Sequence, residues 1–436
     1  MSKLSDLIKN NNKVPFHMPG HKRNAKLNNV ALDFDITEIN GFDNLAQPEG
    51  IIKEYMEKAS RIWGSSHSFF LVNGSTCGIL SGLKALTNRG DTILISRNSH
   101  KSVFHTAELL NLKIIFLDGE IYNSAGENSA FNLEKLQEII NEKQIKVVLV
   151  TSPSYEGYVL PIKEISAICH NKNLPLMVDE AHGGHFGFSP SFHKSALSLG
   201  ADIVVQSLHK TLIALTQTAV LHISDRISAK RVQQSINYFQ SSSPSYILIE
   251  SILNCIDFLE NSEKGFKTWA NLLNDFYDKT KELENIKIID CKEKDRSKIL
   301  ISTAKCNKNA QLLMSVLREK YNIELEMAYG DCALAMTGLG DTQKTMQKLQ
   351  HALFEIDKSL KKVKKDKISY KYKSDLKSIS ISSQNESNTI KIGEIAASYV
   401  WLYPPGVPLL VPGEVVRQEF FSFVKSYEKH YGKSLI

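Results

Sequence analysis

The chain has 436 residues, of which 42% are hydrophobic, 23% charged and 8% aromatic, and its formal net charge is +6. These proportions are typical of globular proteins and exclude a collagen-like fibre, a wholly disordered chain and a small disulfide scaffold. At about 150 residues per domain the length predicts two or three domains, and the dispersed charge gives little reason to expect a nucleic-acid or membrane partner.

Short apolar runs alternate with amphipathic segments through the first half of the chain. Six runs predict strands: Thr92–Ser96, Lys113–Leu117, Lys146–Thr151, Leu174–Asp179, Asp202–Leu208 and Ala219–Ile223. Three amphipathic segments predict helices between the earlier strands: Ser102–Leu110, Leu133–Asn141 and Ile162–Asn171. This alternation predicts an α/β fold with a mostly parallel sheet covered on both faces. Such sheets bind ligands at the carboxyl ends of their strands.

The remaining sequence predicts further domains. Residues 250–365 are typical of helices with a few short strands, which indicates a second, smaller α/β layer. The Lys-rich segment Lys358–Lys373 is interpreted as a solvated connection, with a patch for an acidic partner as the alternative. We therefore predict an N-terminal arm (1–50), a large domain (51–250), a small α/β domain (251–365) and a C-terminal region (366–436).

The cysteines and the N-terminus indicate the compartment. Six cysteines are scattered without any CxxC pair, so neither a zinc site nor a disulfide framework is expected, and a reducing compartment is the simpler interpretation. Residues 1–15 lack the apolar stretch of a signal peptide, and no run reaches the length of a membrane span. We expect a soluble, cytoplasmic protein.

Polar side chains at the ends of the predicted strands match the needs of pyridoxal 5'-phosphate. Lys210 could form a Schiff base through its amine, which requires a deprotonated, partly desolvated lysine. Asp179 could pair with the pyridine nitrogen and make the ring an electron sink. Gly74, Ser75 and Thr76 open a predicted helix, where backbone N–H groups favour a phosphate.

Three further residues complete this predicted site. Ser207 could bind the phosphate through its hydroxyl, and His100 offers a flat ring that could stack on the cofactor. His209 could position the substrate carboxylate or transfer a proton. Taken one at a time, these residues have ordinary explanations, such as a surface lysine, a helix N-cap or a loop cap. Together, in this order and at strand ends, they favour the cofactor.

The chain resembles the bacterial ornithine/lysine/arginine decarboxylase family, whose members bind pyridoxal phosphate and have the aspartate-aminotransferase-like fold (fold type I). The resemblance covers almost the whole chain and includes the cofactor motifs above. Further motifs that carry it are Pro15–Arg23, Asp35–Glu38, Gly41–Asn44, Pro48–Gly50, Ser241–Tyr246, Tyr403–Gly406 and Val411–Glu414. The resemblance implies a large domain with a mostly parallel seven-stranded sheet and a smaller α/β C-terminal domain.

The resemblance also implies roles for individual residues. Lys210 corresponds to the Schiff-base lysine, Asp179 to the pyridinium partner and His100 to the stacking residue, while Ser75, Thr76, Ser207 and His209 surround the phosphate and the lysine. Ala181 lies against the ring, and His182 gives the Asp-Glu-Ala-His form of the shorter arginine-decarboxylase branch. In this family the segment before the Ser-Pro-Ser motif reaches the phosphate of the neighbouring subunit, which points to Ser241 and implies an obligate homodimer.

One departure from the large members of the family affects the expected assembly. The chain starts directly at the His-Met-Pro-Gly-His-Lys motif, so a dimer or tetramer is expected rather than a large ring. For the distal end of a basic substrate, Glu414 is the first candidate partner and Asp331 the second. His17 and His21 flank the first motif and are assigned no catalytic role.

The predicted function is decarboxylation of arginine, lysine or ornithine to the corresponding amine, with arginine to agmatine slightly preferred. An aminotransferase, aldolase or desulfurase would share the Lys–Asp pair, but the Ser-Leu-His-Lys and Tyr-Pro-Pro-Gly segments resemble decarboxylases. A non-catalytic regulatory homologue is a further alternative, against which the presence of both Lys210 and Asp179 argues.

Overall fold

A computed structural model describes residues 3–4, 6, 35–126, 130–381, 390–402 and 407–431. The motif Pro15–Arg23, with His17 and His21, and the segment Tyr403–Gly406 lie outside these described residues. The chain forms two compact units: the first comprises residues 1–86 and 177–266, and the second residues 87–176 and 267–436. The predicted domain boundaries stay a prediction.

The first unit carries one set of four strands. In spatial order they are β1 (His67–Leu71), β8 (Ala219–Ile223), β7 (Ile203–Ser207) and β6 (Leu176–Asp179). β6 and β7 are parallel, whereas β8 is antiparallel to both β7 and β1. All residues of β6, β7 and β8 are buried, which explains their continuous apolar runs.

Helices cover these strands. They are α1 (Ile51–Trp63), α2 (Gly74–Leu86), α6 (Leu208–Thr211), α7 (Ala229–Phe239) and α8 (Tyr246–Glu260). Helix α2 lies close to the strands because it carries glycines on the facing side: a Cβ at Gly78 would lie 2.6 Å from Val205 Cγ1, and one at Gly82 would lie 2.6 Å from Met177 Cε.

The second unit contains a mostly parallel set and three smaller sheets. The first set has the order β5 (Val147–Thr151), β2 (Thr92–Ile95), β3 (Lys113–Phe116) and β14 (Ile379–Ser380). β2 is parallel to both β3 and β5, and β14 is antiparallel to β3. The smaller sheets are β11 (Met327–Tyr329), β12 (Cys332–Met336), β10 (Lys298–Ser302) and β9 (Lys287–Ile289); β4 (Gly119–Asn123) with β13 (Ser369–Tyr372); and β15 (Val400–Leu402) with β16 (Val407–Leu410).

The helices of the second unit are α3 (Lys101–Leu109), α4 (Leu133–Glu142), α5 (Ile162–His170), α10 (Ala310–Tyr321), α11 (Gln343–Ser359) and α12 (Gln418–Tyr431). Helix α9 (Glu263–Thr280) begins in the first unit and ends in the second. The aromatic side chains of α12 pack with β4, β12 and β15 in one apolar core. Within the described residues, no helix is both long and apolar enough to cross a membrane.

The predicted α/β class and the six predicted strands are confirmed, each strand to within two residues at either end. The described residues of the two large sets form eight strands, one more than the predicted seven. β14 has only two residues, which is too short for an apolar pattern to reveal. The Lys-rich segment is exposed over residues 361–364, as a solvated connection should be, but it also contains β13.

Candidate active site

Lys210 lies directly after a buried strand. β7 ends at Ser207, and the short helix α6 places Lys210 half-buried at the carboxyl end of this strand. Its Nζ atom lies 2.9 Å from Nε2 of His182. His182 itself follows β6, the parallel neighbour of β7, so the two strand ends bring this pair together.

Asp179 is the last residue of β6 and is only 5% exposed. Its Oδ1 atom accepts a 3.1 Å hydrogen bond from the backbone N–H of Ala181, which fixes the carboxylate. Val205 lies opposite Asp179 in the register of β6 and β7, and the backbone N–H of Ser207 donates to Ala181 O at 3.4 Å. Asp179, Ala181, His182 and Lys210 therefore lie close together at the ends of β6 and β7, and their roles in binding a cofactor stay a prediction.

The predicted phosphate-binding turn begins helix α2. Gly74 has a φ of +76°, a conformation that glycine adopts without strain, and its N–H donates to Gln217 O at 2.9 Å. Gln217 also donates from Nε2 to Val72 O at 2.6 Å, so it holds this turn from both sides. The N–H groups of Ser75 and Thr76 lie in the first helical turn, where no intrahelical acceptor exists and the helix dipole favours an anion.

Two buried hydroxyls near Lys210 provide a test of whether these residues fit pyridoxal phosphate. Ser207 Oγ and Thr211 Oγ1 are buried and have no hydrogen-bond partner among the described residues. Gly184 borders them: a Cβ there would lie 3.2 Å from Ser207 O and 3.5 Å from Thr211 Oγ1. Buried polar atoms without partners are costly, and a cofactor with several oxygen atoms would satisfy them. The side chains present therefore fit the cofactor.

The imidazole of His209 is half-buried and is oriented by a hydrogen bond. Burial lowers its pKa, and the charge of Lys210 acts in the same direction. Nδ1 lies 3.0 Å from Thr218 O, a carbonyl that can only accept, so Nδ1 carries the proton. The neutral ring therefore has its lone pair on Nε2, which is the atom available for proton transfer.

Glu180 follows Asp179 and is fully buried beneath the site. Burial raises its pKa to about 8, opposed by hydrogen bonds from Gln206 and from the Ala196 backbone. These two bonds are 2.7 Å and 2.8 Å long. The bond from Gln206 connects the end of β6 to β7, the bond from Ala196 connects it to the segment between these strands, and together they stabilise the residue that follows Asp179.

The structure places His100 and Ser241 at exposed positions. His100 is the N-cap of α3, where its Nδ1 accepts from the backbone N–H of Ser102 at 3.3 Å. Ser241 donates its backbone N–H to Asn73 Oδ1 at 3.2 Å and therefore lies next to the turn that begins α2. Their stacking and phosphate roles stay predictions.

The two predicted substrate carboxylates are buried in ion pairs within the second unit. Glu414 Oε2 lies 2.9 Å from Arg97 Nη2 and also accepts the Val411 N–H at 2.7 Å. Asp331 Oδ1 lies 2.6 Å from Lys365 Nζ. Both acids therefore have partners within the second unit, and the substrate-binding role predicted for them stays a prediction.

Sequence reasoning missed Gln217, Thr211 and the pair Glu180–Gln206. Of these residues only Glu180 stands out in the sequence, since it directly follows the aspartate that ends a buried strand. Gln217 has a φ of +81°, which no composition or spacing indicates. Its role depends on a contact with a turn more than a hundred residues away in the sequence.

Comparison with known proteins decides the family. The model of the Orn/Lys/Arg decarboxylase major domain matches residues 2–308, and that of the C-terminal domain matches residues 376–432. The chain belongs to the Orn/Lys/Arg decarboxylase family. It is a pyridoxal-phosphate-dependent amino-acid decarboxylase.

Relatives of this decarboxylase match over nearly their whole length. An arginine decarboxylase of Halalkalibacterium halodurans is 28% identical over 95% of this chain and 90% of its own. An arginine decarboxylase of Bacillus subtilis is 30% identical, with 94% and 90% covered, and the uncharacterized protein YaaO of the same species is 32% identical with the same coverage.

Solved structures confirm the predicted fold. The lysine decarboxylase LdcF of Francisella novicida superposes with a TM-score of 0.77 at 18% identity, covering 97% of this chain and 77% of that one. A NifS-like protein gives a TM-score of 0.56 at 17% identity, with 73% and 92% covered. The decarboxylase therefore has the fold of pyridoxal-phosphate enzymes of fold type I.

Proposed function

We propose that this decarboxylase converts arginine to agmatine, with the cofactor carried on Lys210. The observation that carries the proposal is the position of Lys210 at the carboxyl end of β7, beside His182 and Asp179 at the end of β6. The choice of arginine is supported by relatives: four curated arginine decarboxylases match 92–95% of this chain. Lysine and ornithine decarboxylases match only 48–51% of it.

The residues of the first unit would hold each part of the cofactor. When bound, pyridoxal phosphate supplies a ring that takes up the electron pair left by the departing carbon dioxide. Asp179 would keep a proton on the ring nitrogen, and its burial leaves its charge weakly screened. Ser75 and Thr76 would bind the phosphate with their backbone N–H groups, and Ser207 would add its buried hydroxyl.

Two residues can return a proton to the Cα of the substrate. His209 keeps its Nδ1 proton in the bond to Thr218 O and can exchange a proton at Nε2. Lys210 can act through Nζ once the substrate amine has replaced it. A base or acid held at a fixed position typically contributes about 10²–10⁴-fold to such a step.

We also propose that the enzyme works as a homodimer in the cytoplasm. Ser241 is exposed on the single chain, which is compatible with a contact to a second protomer. All six cysteines are free thiols and five of them are buried, as is common in a reducing compartment. Sedimentation of the purified protein at twice the chain mass is the expected result.

The activity test is a substrate panel. The holoenzyme is incubated separately with arginine, lysine and ornithine, and carbon dioxide, the amine product and any keto acid are measured. We expect carbon dioxide and agmatine from arginine at the highest kcat/KM. Keto acid without carbon dioxide would instead identify an aminotransferase, and the absence of a visible cofactor band would favour a non-catalytic homologue.

The assignment of Lys210 is tested in the same assay. Lys210→Ala is expected to abolish turnover and the visible band while leaving the folded state intact, because no other amine takes its place at the end of β7. Lys194→Ala, an exposed lysine of the same unit, serves as the control and should behave like the wild type. Full activity of Lys210→Ala would reject the assignment.

A further inference from the structure

The contact between Lys210 and His182 has a consequence for cofactor loading. The two nitrogen atoms, Nζ and Nε2, lie 2.9 Å apart, which is hydrogen-bond distance. Two protonated nitrogens cannot form such a bond, because one of them has to supply a lone pair. The contact therefore holds a single proton between lysine and histidine.

We propose that His182 is the proton acceptor that activates Lys210 for attachment of the cofactor. This inference rests on the proposed role of Lys210. In the step itself an N–H bond at Lys210 Nζ breaks, an N–H bond at His182 Nε2 forms, and no electrons are gained or lost overall. The lone pair left on Nζ can then form a C–N bond to the aldehyde carbon of pyridoxal phosphate, whose oxygen leaves as water with the two hydrogens that remain on Nζ.

The chemistry of the two groups explains why an adjacent base matters. A lysine of ordinary pKa, about 10.4, is almost entirely protonated at neutral pH, whereas imidazole, with a pKa of about 6.5, is largely neutral. Only the neutral amine has a lone pair for the aldehyde carbon, and the largely neutral imidazole at hydrogen-bond distance can accept the proton that the amine has to lose first. An acceptor within the site makes this transfer independent of the concentration of external base.

Other titratable groups lie around the pair. Asp179 and Glu180 precede His182 at the end of β6, His185 follows it, and His209 is adjacent to Lys210 on α6. Three of these groups have other hydrogen-bond partners: Asp179 accepts from the Ala181 N–H, Glu180 accepts from Gln206 and the Ala196 N–H, and His209 contacts the Thr218 carbonyl. The contact of 2.9 Å therefore distinguishes His182 as the base for Lys210.

The experiment follows the uptake of pyridoxal phosphate by apoenzyme, independently of turnover. Cofactor is mixed with apoenzyme, and the visible absorption band is recorded against time between pH 6 and 10. The variants are His182→Ala, which removes the base, and His182→Gln, which keeps a hydrogen-bond acceptor near the position of Nε2 but cannot take a proton. His193→Ala, a half-buried histidine of the same unit, is the matched control.

We expect both His182 variants to load at least about tenfold more slowly than the wild type at pH 7. The difference should disappear towards pH 10, where lysine loses its proton to solvent. Free imidazole should restore the rate in His182→Ala, because it can occupy the space left by the ring, and it should not affect His193→Ala.

Three outcomes would overturn the proposal. One is an unchanged rate in both variants, and another is normal loading of His182→Gln, which would leave only a hydrogen-bonding role. The third is a slow rate that imidazole does not restore, which would indicate altered packing. Borohydride trapping with peptide mapping separates this inference from the proposed function: label on a residue other than Lys210 refutes both, whereas label on Lys210 with unchanged rates refutes only the role of His182.

Discussion

Glu180 and Gln206 form a hydrogen bond of 2.7 Å between Oε2 and Nε2, inside the first unit. Both side chains are buried, and burial raises the pKa of Glu180 to about 8. The Oε1 atom of Gln206 has no hydrogen-bond partner among the described residues. This pair lies directly behind Asp179 and makes the stability of the cofactor site dependent on pH.

Replacing Glu180 with glutamine should flatten that pH dependence. In the unfolded chain the carboxyl loses its proton near its ordinary pKa of about 4.3, but in the folded protein it keeps it until about pH 8. Between these values the folded state binds the extra proton, so the free energy of unfolding of the wild type falls as pH rises and is constant again above pH 8. We expect Glu180→Gln to avoid roughly 1–3 kcal/mol of this loss, as measured by urea unfolding at pH 5 to 9.

The side chain introduced by Glu180→Gln should fit because the amide group of Gln206 can rotate and exchange the positions of its oxygen and nitrogen atoms. Oε1 of Gln206 would then accept a hydrogen bond from the amide NH2 introduced by Glu180→Gln, and the amide oxygen of the same new side chain would still accept from the Ala196 N–H. Glu164→Gln, on helix α5 of the other unit, is the control and should leave the pH profile unchanged. An identical slope for Glu180→Gln and the wild type would show that Glu180 ionises normally.

Asp179→Asn should lower kcat while preserving the fold. The asparagine oxygen can still accept from the Ala181 N–H, so the turn after β6 is retained. The negative charge that would keep a proton on the cofactor ring is lost, and a cost of about 4 kcal/mol in the barrier corresponds to a fall on the order of 10³-fold. Steady-state kinetics of holoenzyme with arginine, at saturating cofactor, measure this change.

The control for Asp179→Asn is Asp225→Asn, an exposed aspartate of the same unit, which should retain wild-type kcat. Thermal unfolding of both variants should be similar to that of the wild type. A kcat for Asp179→Asn within about threefold of the wild type would remove Asp179 from the mechanism.

Features that depend on local sequence were predictable, and those that depend on distant contacts were not. The ends of β6 and β7 could be located because each is a continuous apolar run that stops at a polar residue, and this also placed Asp179 and Lys210 in one site. The ion pair between Glu414 and Arg97 could not be predicted, because the two residues lie 317 residues apart in the sequence and are brought close only by the fold. The Lys210–His182 distance likewise depends on the parallel pairing of two strands.

Glu414→Gln should lower stability and leave substrate affinity unchanged. Arg97 is buried against the rings of Phe116 and Tyr372, and without the charge of Glu414 its cation would contact only neutral acceptors there, among them the carbonyl oxygens of Pro408 and Leu409. An uncompensated buried charge of this kind costs about 3–5 kcal/mol in the free energy of unfolding. Urea unfolding measures that loss, and Glu394→Gln, an exposed glutamate, is the control. A raised KM for arginine with unchanged stability would instead restore the substrate-binding role predicted from the sequence.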